Sequence, residues 1–92
     1  MRLDLFLKAS RIVPRRSLAN ELCDAGLVKI NGAPAKPSRE VKPNDEIEIK
    51  RRNRITKMRV LEVPASKQVS KQQAPELYKV LSEEILEDDW LS

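Results

Sequence analysis

Four cations fall within nine residues near the start of the chain: Lys8, Arg11, Arg15 and Arg16. Lys8 and Arg11 are spaced i, i+3, on one face of a helix, and Arg15 and Arg16 follow directly on Pro14. Such an arrangement brings all four to a helix-to-helix corner, a shape that a convex ribbon of phosphates fits. Arginine suits that task because its planar fork pairs bidentately with phosphate oxygens and its face stacks on an unpaired base. The competing reading is a set of solvent-facing charges balanced by Asp4, Glu21 and Asp24. Against it stands the position of Arg15 and Arg16 in the first turn of a helix, where the macrodipole disfavours a cation by about a few tenths of a kcal/mol. Lys36, Ser38 and Arg39 extend the patch. A second group, Arg51, Arg52 and Arg54, reads as a solvated hairpin tip that keeps the sheet soluble.

Other chemistry finds no support. The chain has no His and one Cys, so disulfides, CxxC redox motifs and the usual zinc sites are excluded, and no metal or cofactor is expected. Cys23 has no neighbouring cation to favour a thiolate and reads as a small buried apolar residue. Acid pairs such as Glu46/Glu48 and Glu83/Glu84 have nothing around them to set their pKa values apart. With two glycines, Gly26 and Gly32, there is no glycine-rich phosphate loop. A non-enzyme is expected. Apolar runs are too short for a signal peptide or a membrane span, which points to the cytosol.

Charge is unevenly shared. Residues 1–63 hold 15 basic and 8 acidic residues, and 64–92 hold 3 and 6. A basic body with an acidic extension fits a nucleic-acid partner. The 92 residues suffice for one small domain.

The elements that must position the cations can be read from periodicity. Leu3, Phe6, Leu7 and Ser10 form the buried stripe of a helix over about Arg2 to Ser10, with Arg2, Asp4, Lys8 and Arg11 largely outside it. Pro14 opens a second helix, buried through Leu18, Leu22 and Ala25 and closed by Gly26. Leu27 to Ile30 alternates as a strand, Asn31-Gly32 is a hairpin turn, and a short edge strand returns over Ala33 to Pro37. Pro43-Asn44-Asp45 is a turn before a strand over Glu46 to Lys50, whose partner runs from Ile55 to Val63. Residues 64–73 have linker composition. Leu77, Val80, Leu81, Glu84 and Ile85 have helical spacing, which predicts an amphipathic C-terminal helix and acidic tail over 74–92.

Arg2-Leu3-Asp4 with Leu7, Arg16-Ser17 with Ala19 and Leu22, the run Gly26-Leu27-Val28-Lys29-Ile30-Asn31-Gly32, then Lys36-Pro37-Ser38, Val41 and Asp45-Glu46-Ile47 resemble the RNA-binding domain named after small-subunit ribosomal protein four, the S-four domain. The resemblance covers Met1 to Val63. It implies an α+β fold of the alpha-L type, short helices packed on a small antiparallel sheet, with RNA bound on the helices and the strand region that follows. Family members such as pseudouridine synthases carry this module beside a catalytic domain for which there is no room here. The start Met1 to Lys8, the pair Arg15-Arg16 and the stretch Leu77 to Glu84 are similar to the stand-alone RqcP-type proteins and to the fifteen-kilodalton heat-shock family. Departures are Pro14, Asn44 where the family commonly has Gly, and the tail Asp88 to Ser92.

The resemblance implies binding to large-subunit rRNA and to peptidyl-tRNA on stalled, split large ribosomal subunits. Its setting would be ribosome-associated quality control, in which a tailing factor of the RqcH/NEMF type adds alanines to the stranded chain. Arg2 and Arg16 are the arginines that match the family motif. RNA contacts are thus expected at Arg2, Lys8, Arg11, Arg15, Arg16, Lys36, Ser38 and Arg39, from a protein monomeric off the ribosome. Replacing Arg16 by Ala is expected to leave folding nearly unchanged. Two other readings are a general stress-related RNA-binding protein or RNA chaperone, and an adaptor acting through the C-terminal helix.

Overall fold

The computed structural model describes residues 1–66 and 68–85. Two helices, α1 (Leu3–Ala9) and α2 (Arg16–Asp24), precede strands β1 (Val28–Ile30), β2 (Ala33–Pro34), β3 (Glu46–Arg51) and β4 (Arg54–Val60). A 3₁₀ turn over Ala74–Leu77 leads into β5 (Tyr78–Ile85). The strands form one antiparallel sheet in the order β2-β1-β3-β4-β5.

The register explains the core. Val28 pairs with Ile49, Ile30 with Ile47, and Ile47 with Met58. Cross-strand partners share a face, so these residues form an apolar row, all at most 2 % exposed. Leu3, Phe6, Leu7 and Val13 cover it from the helical layer, with Ala19 and Cys23 of α2. On the other face Glu46 meets Arg59 at 3.8 Å and Glu48 meets Lys29 at 3.9 Å.

Several elements differ from expectation. Asp4 was placed outside the α1 stripe but is wholly buried, held there by hydrogen bonds described below. In α2 the buried positions are Ala19 and Cys23, while Leu18 and Leu22 are half-buried and Ala25 is exposed. Pro14 lies before the helix. Arg15 is the N-cap, in extended conformation, and Arg16 is the first helical residue.

The C-terminal helix is overturned: the chain forms β5, paired with β4 along its length. A bulge misled the periodicity. Met58 pairs with Val80 and Lys57 with Ser82, so Leu81 has no partner. The extra residue shifts the alternation by one, placing 78, 80, 83 and 85 on a common face, so no unbroken period of two runs through the segment to mark it as a strand. Leu77 is buried, but Ile85 stays 68 % exposed. The adaptor reading thereby loses its helix. Its acidic tail, 86–92, lies outside the described residues. The linker is partly anchored, since Val69 packs against the core.

Candidate RNA-binding surface

Asp4 organises the corner. Its carboxylate accepts from Arg2 Nε and Nη2 at 3.2 Å, from Arg16 Nε at 3.1 Å, from Asn20 Nδ2 at 3.1 Å and from the Leu5 backbone N–H at 2.8 Å. Burial pushes the Asp4 carboxyl up, but the donors Arg16, Asn20 and Leu5 outweigh it and hold the pKa below the ordinary 3.8. The buried anion therefore stays charged and answers the dipole cost of Arg16. Part of the argument for an external anion at Arg16 is thus met from inside the protein, and for Arg15 it still stands.

The same clamp leaves reactive geometry outward. Arg2 and Arg16 side chains are each 45 % exposed. Arg16 spends only Nε on Asp4. Both its terminal amino groups remain without a protein partner among the described residues, a guanidinium held in position with its phosphate-binding end free. Lys8, Arg11, Arg15, Lys36 and Arg39 are exposed and carry no ion pair among the described residues.

Placement follows from the backbone. Leu3 N–H donates to the Arg39 carbonyl at 2.8 Å and Asp4 N–H to the Pro37 carbonyl at 3.1 Å. These bonds satisfy two free donors of the first helical turn and dock the loop of Lys36, Ser38 and Arg39 beside Arg2. At the other end of α1, Lys8, Arg11 and Arg16 line a groove of about 950 Å³ closed by Gln68, Val69 and Ser70. Arg15 is exposed at the neighbouring N-cap and does not line that groove. The contribution of residues 68–70 was missed, because linker composition carries no signal of where the chain returns.

Arg11 adds a backbone observation. It sits just after α1 with φ 62°, and its N–H bonds to the Lys8 carbonyl. Left-handed residues at this position are usually Gly. Cys23, by contrast, is inert: burial, then the nearby charges of Asp4 and Asp24, raise its thiol to about 11.

Residues 1–47 match the S4 domain. The chain belongs to the S4 domain family. An RQC P-site tRNA stabilizing factor of Streptococcus pneumoniae is 42 % identical over 89 residues, covering 97 % of this chain and 99 % of that protein. The protein of the same name from Bacillus subtilis is 42 % identical over 86 residues, 94 % of this chain and 98 % of its own. Among solved structures, the trimeric Vibrio cholerae Heat Shock Protein 15 superposes with a TM-score of 0.80 at 28 % identity, over 89 % of this chain and 82 % of that one. The S4 domain match runs from α1 to the start of β3, so it contains the whole Asp4 clamp. It also contains Asn44, whose φ of 75° is one that asparagine accepts more readily than most residues.

No helix among the described residues is long and apolar enough to cross a membrane.

Proposed function

We propose that this chain is a non-enzymatic RNA-binding factor that stabilises P-site peptidyl-tRNA on stalled, split large ribosomal subunits, in ribosome-associated quality control. The observation that carries this reading is the Asp4 clamp, which fixes Arg2 and Arg16 side by side at an exposed corner with the Arg16 fork free. Relatives named as P-site tRNA stabilizing factors over nearly the full length supply the setting. In this reading Lys8, Arg11 and Arg15 neutralise phosphates along one side of the corner, and Lys36, Ser38 and Arg39 along the other. The protein acts in the cytoplasm, is a monomer off the ribosome, and has a tailing factor of the RqcH/NEMF type as its neighbour on the subunit.

Sucrose-gradient fractionation of cell lysates tests it. The protein is expected to travel with free large subunits that carry peptidyl-tRNA, and travel with bulk RNA instead would favour the general RNA-chaperone reading. With about 4 to 6 phosphates neutralised, the slope of log K against log salt should be about −3 to −5. A flat salt dependence, or turnover of ATP, GTP or RNA by the purified protein, would count against the proposal.

A further inference from the structure

A second groove, about 580 Å³, lies between the end of α1 and the β3–β4 hairpin. Arg11, Arg51, Arg52 and Arg54 rim it, and Ile12, Tyr78 and Val80 are among the residues that line it beneath them. Apart from Arg11 and Ile12, its lining residues lie beyond the segment that matches the S4 domain. No acidic residue among the described residues lines it.

Three features of the sequence resist explanation as a solvated tip. Arg51 and Arg54 are directly paired across the strands, where like charges repel. Arg52 in the turn has φ 54°, a conformation that favours Gly, Asn or Asp. Arg11, on the opposite wall, has φ 62°. Two arginines in left-handed conformation thus line one groove, and backbone strain of this kind is retained where the surroundings or the function require the side chain. Arg54 is held by Glu83 at 3.0 Å, but neither Arg51 nor Arg52 has an ion pair among the described residues.

The floor differs from that of a purely ionic site. Tyr78 is half-buried and Val80 is 49 % exposed, so an aromatic ring and open apolar surface lie under a rim of cations. Phosphates on the rim and a base on the floor is the chemistry by which proteins hold single-stranded nucleic acid. The volume accommodates one or two nucleotides. Double-helical RNA presents phosphates but keeps its bases stacked and would use the rim alone.

We infer that this groove is a second RNA site, which takes an unstacked nucleotide of a single strand while the α1–α2 corner takes a phosphate ribbon. It rests on the RNA-binding reading above and extends it to two RNA contacts on opposite sides of Arg11.

The test uses the full chain and two probes, hexauridylate and a six-base-pair RNA duplex. Changing Arg51→Gln together with Arg52→Gly should weaken hexauridylate binding about tenfold or more, and duplex binding by no more than about twofold. Its melting temperature should hold or rise, because Gly relieves the turn. Tyr78→Leu, which keeps apolar bulk, should lose about fivefold on hexauridylate only. The corner variant Lys8→Gln with Arg15→Gln should show the reverse preference. Unchanged binding of hexauridylate by the tip variant would overturn the inference, as would equal losses on both probes or competition by polyglutamate as effective as by hexauridylate. Loss of large-subunit association by the corner variant but not by the tip variant leaves the proposed function intact whatever becomes of the groove.

Discussion

The β1–β2 and β3–β4 hairpins both turn in two residues, and they use opposite chemistry. In the first, Ile30 pairs with Ala33, and Asn31 and Gly32 occupy φ values of 52° and 85°, residue types that accept them at little cost. The Asn31 amide also bonds Asp45 and receives the Glu46 N–H. In the second, Arg51 faces Arg54 and Arg52 takes the left-handed position. The helix ends repeat the contrast. α2 closes through Gly26, with Gly26 N–H on the Cys23 carbonyl and Leu27 N–H on the Leu22 carbonyl, a Schellman motif. α1 closes through Arg11. One hairpin and one helix end carry residues that suit the backbone geometry, and the other hairpin and helix end accept strain to place charge.

The largest effect expected from breaking this contrast lies at Asp4, where charge is placed by burial instead of strain. Asp4→Ala removes the shared acceptor of Arg2, Arg16, Asn20 and Leu5 N–H and should cost about 2–3 kcal/mol. A melting temperature about 10–20 °C lower would show it. The clamp also sets an acid limit. Because the folded carboxyl titrates below 3.8, its stabilisation is complete above about pH 4 and is lost as pH falls through the folded value. Melting curves between pH 5 and about pH 2 should fall less steeply for Asp4→Asn than for the native chain. Glu40, also lowered by its hydrogen bond from the Met1 ammonium, leaves a residual slope.

Next comes Arg16→Ala. The pair with a buried anion argues against unchanged folding. Arg2, Asn20 and Leu5 N–H remain as donors, so the expected loss is about 1 kcal/mol. Large-subunit affinity should fall about 10- to 150-fold from the lost phosphate fork. Arg15→Ala, at the exposed N-cap, should weaken binding without lowering the melting temperature. Co-sedimentation alongside thermal melting separates the two, and equal destabilisation by both would show that the clamp is not what distinguishes them.

Leu81→Ala should matter less. In a helical stripe it would cost about 2–4 kcal/mol, but as the unpaired, half-buried residue of a bulge it should cost about 1 kcal/mol or less. Urea unfolding measures it, and a loss above about 2 kcal/mol would restore Leu81 to the core.

These cases show which information local sequence carries. Alternation gave β1 and β3 because their apolar residues face one covered layer, β4 followed as the hairpin partner of β3, and Asn31-Gly32 gave a turn because few residues accept its angles. The corner cations could be grouped because α1 and α2 are sequence neighbours. Asp4 could not be recognised as buried, since two of its partners, Arg16 and Asn20, are 12 and 16 positions away and no periodicity marks a carboxylate that tertiary hydrogen bonds satisfy. β5 was obscured because its bulge breaks the period of two that marks a strand. The groove beside the β3–β4 hairpin depends on β5 pairing with β4, so it too was invisible until that pairing was known.

The smallest expected effect bears most directly on the two kinds of helix end. A Cβ at Gly26 would meet nothing within 4 Å, so Gly26→Ala tests backbone conformation alone. At φ 76° it should destabilise by about 1 kcal/mol. Arg11→Gly makes the converse change at φ 62° and should stabilise by about 0.5–1 kcal/mol, because relief of the left-handed strain exceeds the extra freedom glycine gives the unfolded chain. The melting temperatures should therefore move in opposite directions by a few degrees each. RNA affinity should fall for Arg11→Gly and hold for Gly26→Ala. A more stable Arg11→Gly protein that binds less RNA would mean that the arginine is kept against the preference of the backbone. If Arg11→Gly melted lower, Arg11 would be stabilising the helix end by contacts of its own, and its left-handed conformation would no longer point to a ligand.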